Sequence, residues 1–331
     1  MATTDSQAPI ALILSTRLGD SLFMMTIAHN LRRSRRRVVV YGDHGGALAE
    51  WFPGFDIRPL AAAKEPAALD DYGAIIQMSL DEPMTGLAER RANFLVIKSL
   101  PQQTADEGSD NPGGPCNGIM ATFRHFTRTL FGLDDWTHDN GLRAPAGLRH
   151  RLHGRRVILH PTSSEPERCW RPDQYVALAT ALRQRGFDPV FVLAPRERPA
   201  WQALLAPHGL AILDAPDLAH TARAIHESGW FIGTDSGIGH LASACGIPTV
   251  TIVDRPRNMD RWRPMWAPGL IVRPWWLPLR SMRRAYWREA TTVGRTLRAF
   301  DTLRRRVENA APAQPGLTRV APSTSTIDRP A

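Results

Sequence analysis

Several features that narrow a protein's class quickly are missing from this chain. It has 3 cysteines in 331 residues, Cys116, Cys169 and Cys245, scattered and odd in number. No CxxC pair and no metal-ligand spacing relates them, which argues against a disulfide framework or a structural zinc site and fits a reducing compartment. No apolar run approaches the ~20 residues that a membrane-spanning helix needs. The first apolar stretch, residues 10–15, follows no cluster of positive charge and runs straight into polar Thr16, Arg17, Gly19 and Asp20, so it reads as neither a signal peptide nor a span. No internal repeat at a solenoid period is visible. The expectation is a non-exported protein long enough for two domains of ordinary size, each with its own core.

What is present is an excess of positive charge and a regular alternation of strand-like and helix-like segments. The formal net charge of +9 implies an anionic partner: nucleic acid, a phosphorylated substrate or a membrane surface. In the N-terminal half, residues 10–15 read as a buried strand, 21–33 as a helix, and 38–42, 74–79 and 94–100 as further strands. Arg32, Arg33, Arg35, Arg36 and Arg37 read either as part of the basic surface or as a helix C-terminus whose cations complement the macrodipole. Residues 101–118 form a loop rich in Pro, Gly, Asn and Asp. The segment RAPAGLRHRLHGRR at 143–156 reads as an interdomain linker. The pattern then restarts with strands at 157–160, 188–194, 229–234 and 249–253, separated by helices. Strands alternating with helices of this length imply parallel sheets with right-handed crossovers. The reading is an α/β protein with a domain over 1–150, a second over 151–309, and a disordered tail over 310–331 rich in Ala, Pro, Ser and Thr.

Three segments carry chemistry, and all three leave the carboxyl end of a strand, where ligands bind in such sheets. In GWFIGTDSGIGHLASACGIPTVTIV (229–253), Asp235 or Ser236 caps a helix, Gly237 and Gly239 permit close approach of a ligand, and His240 falls in the first turn. A helix N-terminus in this position is an anion site, because free N–H groups and the dipole point at it; the bland alternative is a cap and a packed histidine. In HPTSSEPERCWRP (160–172), Thr162, Ser163 and Ser164 supply hydroxyls and Arg168 a guanidinium that can hold two oxygens of a diphosphate. There the alternative is a surface ion pair for Arg168. In LSTRLGDSLF (14–23), Asp20 is either a reactive carboxylate or an N-cap.

Together, STRLGD, HPTSSEPERCW and GTDSGIGHLASACGIPTV resemble glycosyltransferase family 9, the ADP-heptose:lipopolysaccharide heptosyltransferases. The likeness covers about residues 10–35 and 155–255. It implies the GT-B fold, two Rossmann-like domains with parallel sheets facing a central cleft: an acceptor-side N-terminal domain and a nucleotide-sugar-binding C-terminal domain. It also implies an inverting transfer of a heptose or similar sugar. On this chain, the family's base falls on Asp20, its hydroxyl pair on Thr162 and Ser163, and its phosphate-binding cation on Arg168. The donor-binding turn falls on Asp235, Ser236, Gly237 and His240, and a nucleoside contact on Glu197. The Gly/Pro-rich turn that often follows in the family is replaced here by VDRPRNMDRWRP, and the middle of the N-terminal domain matches no motif. Inverting transfer needs a base for the acceptor hydroxyl and charge stabilisation of the leaving diphosphate, both supplied by these residues. No Asp-x-Asp of the kind that holds a divalent cation is present, so the expectation is no metal and no cofactor, with the ADP-sugar as donor substrate.

Residues 255–288 interleave arginines with Trp262, Trp266, Trp275, Trp276 and Trp287. Arg beside Trp suits an anionic membrane interface or single-stranded nucleic acid, and equally suits aromatic packing between lobes. No nucleic-acid-binding motif supports the second of these. The expected partners are therefore a nucleotide sugar, a lipopolysaccharide or other glycan acceptor and an anionic membrane surface, with the protein cytoplasmic and peripheral on the inner membrane. The alternatives are a GT-B transferase or epimerase using another nucleotide sugar, and a non-catalytic basic binding protein that keeps the cleft.

Overall fold

The central strand of the N-terminal lobe, β1 (Ile10–Ile13), is apolar throughout because both of its faces are covered. Ile10 and Leu12 point into one cluster of buried side chains, Ala11 and Ile13 into another, the period-2 alternation of a strand between two layers. The computed structural model describes residues 8–65, 67–99, 118–254, 261–274 and 280–310. In the N-terminal lobe, β1 pairs in parallel with β2 (Val38–Tyr41) and β4 (Ala74–Gln77), and β3 (Asp56–Arg58) and β5 (Phe94–Val96) complete the order β3-β2-β1-β4-β5. The C-terminal lobe holds β6 (His153–His160), β7 (Asp188–Phe191), β8 (Ala211–Ile212), β9 (Ser228–Thr234), β10 (Thr249–Ile252) and β11 (Gly269–Val272), parallel throughout in the order β11-β10-β9-β6-β7-β8. The fold is thus the expected GT-B arrangement of two parallel-sheet lobes.

The helices are α1 (Leu18–Arg33), α2 (Asp43–Ala47), α3 (Leu87–Arg90), α4 (Ile119–Phe131), α5 (Pro172–Gln184), α6 (Arg198–Leu205), α7 (Leu218–His226) and α8 (Gly237–Ala244), followed by helices over Arg280–Ala290 and Val293–Ala310. The last of these lies on the outer face of the C-terminal sheet, burying Leu297, Phe300 and Leu303 beside Trp230 and Val250. It includes Ala310, which the sequence reading placed in the tail; residues 311–331 lie outside the described residues.

Several boundaries differ from the sequence reading, among them the ends of β1, β4 and β7, which stop two or three residues short. Helix α1 starts at Leu18, a turn earlier than expected, because Gly19 and Asp20 are helical. Strand β5 ends at Val96 and passes into a 3-10 turn over Ile97–Ser99. The last residues of the linker segment already belong to β6, and the rest of it is pinned: Arg143 N donates to Trp51 O at 2.7 Å, and Arg151 N to His226 O at 2.9 Å. Residues 101–117 of the expected loop lie outside the described residues, while Gly118 is the N-cap of α4. The arginines at the end of α1 are engaged locally: Arg32 stacks 4.1 Å from the Phe55 ring centre and Arg33 reaches Asp135 at 2.9 Å.

Each lobe has a core of its own on the outer face of its sheet, and the two share a third that the sequence did not show. The inner layer is one continuous cluster that runs from Leu12, Phe23, Met24 and Ile27 through Phe231, Leu241, Ala242 and Ile247. Helices α1 and α8 form its seam: a methyl on Gly237 would stand 2.8 Å from Leu18 Cβ, and one on Gly19 would stand 2.7 Å from the His240 ring. Phe23 alone, fully buried there, is worth about 1.5–3 kcal/mol relative to exposure.

Candidate active site

Where the strands of both lobes end, their loops enclose a cavity of about 760 Å³. Nearly all the residues singled out from the sequence line it: Asp20 from the N-terminal lobe, and Thr162, Ser163, Ser164, Arg168, Glu197, Asp235, Ser236, Gly237 and His240 from the C-terminal lobe, whereas Gly239 is not part of its lining.

Asp20 is not an N-cap. Arg17 occupies that position of α1, and Asp20 lies inside the first helical turn. Its carboxyl is held above the usual carboxylate range by burial, against the lowering pull of Lys98, Arg17 and a hydrogen bond from Ser15. The turn that presents it is tied at both ends. Ser21 Oγ donates to Ser15 O at 2.7 Å, and His44 Nε2 is 2.8 Å from Thr16 O. A raised carboxyl beside two cations, at the mouth of a cavity, is equipped to take a proton from a hydroxyl.

Across the cavity, Arg168 is set on the short 3-10 turn Pro166–Arg168 after β6. Its Nε lies 2.9 Å from Glu165 and its Nη1 3.8 Å from Asp235, so the ion pairing expected under the bland alternative exists, but inside the cavity rather than on the open surface. Glu165 also reaches the other lobe, 3.6 Å from Arg17. Burial pushes the Asp235 carboxyl up to about 6; Arg168 opposes the shift, while Asp254 and Glu165 add to it. Helix α8 then begins with Ser236 as N-cap, yet the Ser236 hydroxyl caps nothing and is buried without a partner. Gly239 N donates to Ser236 O, while Gly237 and Ile238 at the helix start line the cavity with no side-chain cap on their N–H groups.

His240 sits one turn further on, packed edge-to-face on Phe23 with ring centres 5.1 Å apart. Burial pushes it down to about 4, so it is a neutral imidazole in the wall of the cavity. Glu197 accepts from Thr162 Oγ1 and from Ala194 N, both at 3.0 Å. This fixes Thr162 and Glu197 relative to one another on neighbouring loops after β6 and β7. His160, fully buried below them, lies 2.9 Å from Val192 O through Nδ1 and locks the two strand ends together.

Some cavity residues carried no legible signal. Lys98, on the turn after β5, reaches Ser79 Oγ at 3.2 Å and lies 6.0 Å from the Trp262 ring centre. Of the tryptophans expected at a membrane, Trp262 and Trp266 pack on Phe23 at 5.9 and 5.0 Å between ring centres, and Trp287 is 3 % exposed in the outer core of the C-terminal lobe. These three rings therefore take the interlobe and core packing that was the alternative, while Trp275 and Trp276 lie outside the described residues. No helix among the described residues is long and apolar enough to cross a membrane.

Comparison with known proteins fits this geometry. The family model described as Glycosyltransferase family 9 (heptosyltransferase) matches residues 121–273. Lipopolysaccharide heptosyltransferase 3 of Escherichia coli strain K12 is 27% identical over 121 residues, 35% of each chain, so the matched stretch spans about a third of that relative's length. The solved structure of a family 9 glycosyl transferase from Veillonella parvula superposes with a TM-score of 0.66 at 15% identity, covering 92% of this chain and 99% of that one. E. coli heptosyltransferase WaaC with ADP gives 0.63 at 13% identity, covering 89% of this chain and 99% of that one. The sequence match over residues 121–273, which holds the cavity's C-terminal wall, makes this chain similar to glycosyltransferase family 9 there, and the fold is shared over nearly the whole length.

Proposed function

We propose that this protein transfers a sugar from a nucleoside diphosphate to an acceptor hydroxyl in a single displacement that inverts the anomeric centre. The donor is ADP-heptose or a close analogue, and the acceptor is a lipopolysaccharide core or related glycan presented at the cytoplasmic face of the inner membrane. The observation that carries this reading is the division of the cavity. A desolvated carboxylate, Asp20, stands on one lobe, and an anion cradle of Arg168, Ser236 and the N-terminus of α8 stands on the other.

In this scheme the Asp20 carboxylate accepts the proton of the acceptor hydroxyl as its oxygen bonds to the sugar's anomeric carbon. The bond from that carbon to the diphosphate oxygen breaks, and its electron pair leaves with the nucleoside diphosphate. Charge grows on that oxygen as the bond breaks, so the Arg168 guanidinium and the α8 N–H groups stabilise the transition state more than the bound donor. Glu165, which pairs with Arg168 inside the cavity, must yield its place to the diphosphate. The hydroxyls of Thr162 and Ser163 and the Glu197 carboxylate remain for the nucleoside and the sugar. His240, neutral and packed, serves as a donor or as the wall that aligns α8.

Because the positive charge is supplied by the chain, transfer needs neither a divalent cation nor a cofactor. The test is turnover of ADP-heptose with a heptose-deficient core acceptor, with and without EDTA, beside calorimetric titration of ADP, UDP and GDP. Selective ADP binding and EDTA-resistant transfer with inverted anomeric configuration are expected. Preference for UDP would overturn the donor assignment, and chelator-sensitive activity restored by Mg²⁺ would overturn the metal-free scheme.

A further inference from the structure

The C-terminal lobe contains a second cavity, about 620 Å³, at the opposite end of its sheet from the proposed active site. It lies beside Gly154, near the start of β6, whereas the first cavity lies beyond His160 at the end of that strand. Six residues of strand separate the two, about 20 Å at the usual rise. Four arginines line the second cavity, Arg151, Arg155, Arg185 and Arg304, with Trp230 as its apolar floor. Only two carboxylates face them, and both are committed. Asp301 holds Arg185 at 2.9 Å, and Glu308 holds Arg304 at 3.2 Å while also acting on Arg151 from further off, so two carboxylates stand against four guanidiniums and the close ion pairs fall on Arg185 and Arg304.

The local backbone is arranged to keep the Arg151 and Arg155 guanidiniums there. Arg151 has φ of 56°, a left-handed conformation that is unfavourable for a residue with a side chain. That conformation lays its guanidinium 4.8 Å from the Trp230 ring centre, and its Nε is buried with no hydrogen-bond partner. Arg155 donates through Nε to Gly186 O, and a methyl on Gly186 would stand only 2.1 Å from Arg155 Nη2, so the absence of a side chain at 186 makes room for the guanidinium. The Nε of Arg304 is likewise buried and unpartnered. Arg151 is partly buried and Arg155 exposed, and four guanidiniums gathered against two carboxylates repel one another unless an anion joins them; their planar, multi-donor form suits tetrahedral oxyanions.

We infer that the cavity formed by Arg151, Arg155, Arg185 and Arg304 over Trp230 is a second anion site that binds a phosphate group, separate from the donor cavity and independent of the transfer reaction. Two sources share this chemistry: a free phosphate or pyrophosphate anion, and the phosphate of an anionic lipid headgroup. The second would seat this end of the lobe on a membrane.

The experiment uses the full-length chain carrying Arg168→Ala, so that the donor cavity does not compete. Pyrophosphate is titrated by calorimetry, and flotation is measured with phosphatidylcholine vesicles with and without phosphatidic acid. Two variants are added singly, Arg155→Gln and Arg151→Gly. The second relieves the left-handed strain, so it should melt no lower than its parent while losing the cation. Saturable pyrophosphate binding that weakens about tenfold or more in each variant supports the site with a free anion as ligand. Absence of pyrophosphate binding, with phosphatidic-acid-dependent flotation that both variants reduce and an Arg35→Gln, Arg36→Gln control does not, supports the site with a lipid source. Binding in neither assay, or binding unchanged in folded Arg151→Gly protein, overturns it.

Discussion

Asp20 and Asp235 line the same cavity from opposite lobes, and burial holds both carboxyls above their ordinary range. Their company differs. Around Asp20 every other influence lowers the shift: Lys98, Arg17 and Ser15 all favour the ionised form. Around Asp235 only Arg168 does so, while Asp254 and Glu165 push further up, to about 6. One rim is thus a carboxylate cushioned by cations, suited to receive a proton and give it up again. The other is a crowded acidic patch with one guanidinium at its centre, which gains most when a ligand brings groups that reorganise the acids. The same residue type therefore serves two purposes, set by neighbours that arrive from distant parts of the chain.

The largest effect should come from removing the base. Asp20→Asn preserves shape and leaves the helix cap untouched, because Asp20 is not the cap. It should lower turnover by roughly two to four decades while leaving ADP affinity near that of the parent. Single-turnover rates beside an ADP titration measure this; a near-parental rate would take Asp20 out of the mechanism and end the contrast between the two carboxylates.

Asp235 should show itself in stability instead. Its folded-state value lies above its unfolded one, so the folded protein holds this proton more tightly, and stability is lost as pH rises through about 6. The difference from an ordinary aspartate corresponds to about 3 kcal/mol as an upper figure. Urea unfolding of Asp235→Asn should show a flatter dependence between about pH 4 and about pH 7 than the parent. An unchanged slope would mean that the acidic patch is better solvated than its burial implies.

A smaller effect is expected at the guanidinium between the acids. Arg168→Ala should weaken ADP about tenfold or more, the loss of one charge-assisted contact. His240→Ala should act in the same direction and less strongly. Non-additivity in the double mutant would place both at one ligand group, whereas independent effects would leave His240 as packing alone.

The least effect should come from Arg223, whose guanidinium pairs with Glu50 across the lobes while both stay partly exposed. Arg223→Gln should cost no more than about 1 kcal/mol in thermal unfolding, with the rate unchanged. A large loss would mean that lobe contact depends on charge rather than on the apolar seam.

The two rims were unequally legible. The C-terminal wall of the cavity could be read because HPTSSEPERCW and GTDSGIGH are unbroken segments, each leaving a strand. The order of residues along the chain is then nearly the order around the ligand. The N-terminal rim is assembled from Asp20, His44, Ser79 and Lys98, each following a different strand. Only a sheet order that puts β1 between β2 and β4 gathers them, and nothing local to FLVIKSL marks Lys98 as a neighbour of Asp20. The first turn of α1 was misread because Gly19 and Asp20 resemble a helix start. A side chain at position 19 would collide with the His240 ring of the other lobe, a requirement written in no neighbouring residue. The tryptophans of the Arg-rich segment gave the right composition for two different environments, and packing on Phe23 decided between them for Trp262 and Trp266.

The apolar layer shared by the two lobes restricts how the molecule can move during a catalytic cycle. A hinge that swung the lobes apart would wet Phe23, Leu241 and their neighbours, at about 2.5 kcal/mol for each 100 Å² of apolar surface exposed. Sliding of α1 along α8 keeps that surface dry, and the glycines at the seam, Gly19 and Gly237, let the helix backbones pass closely. Shear of small amplitude, with rearrangement of the side chains around Glu165 and Arg17, is thus the motion this architecture favours. Substrates would then be exchanged through the loops at the rim, with the body of the enzyme staying closed throughout.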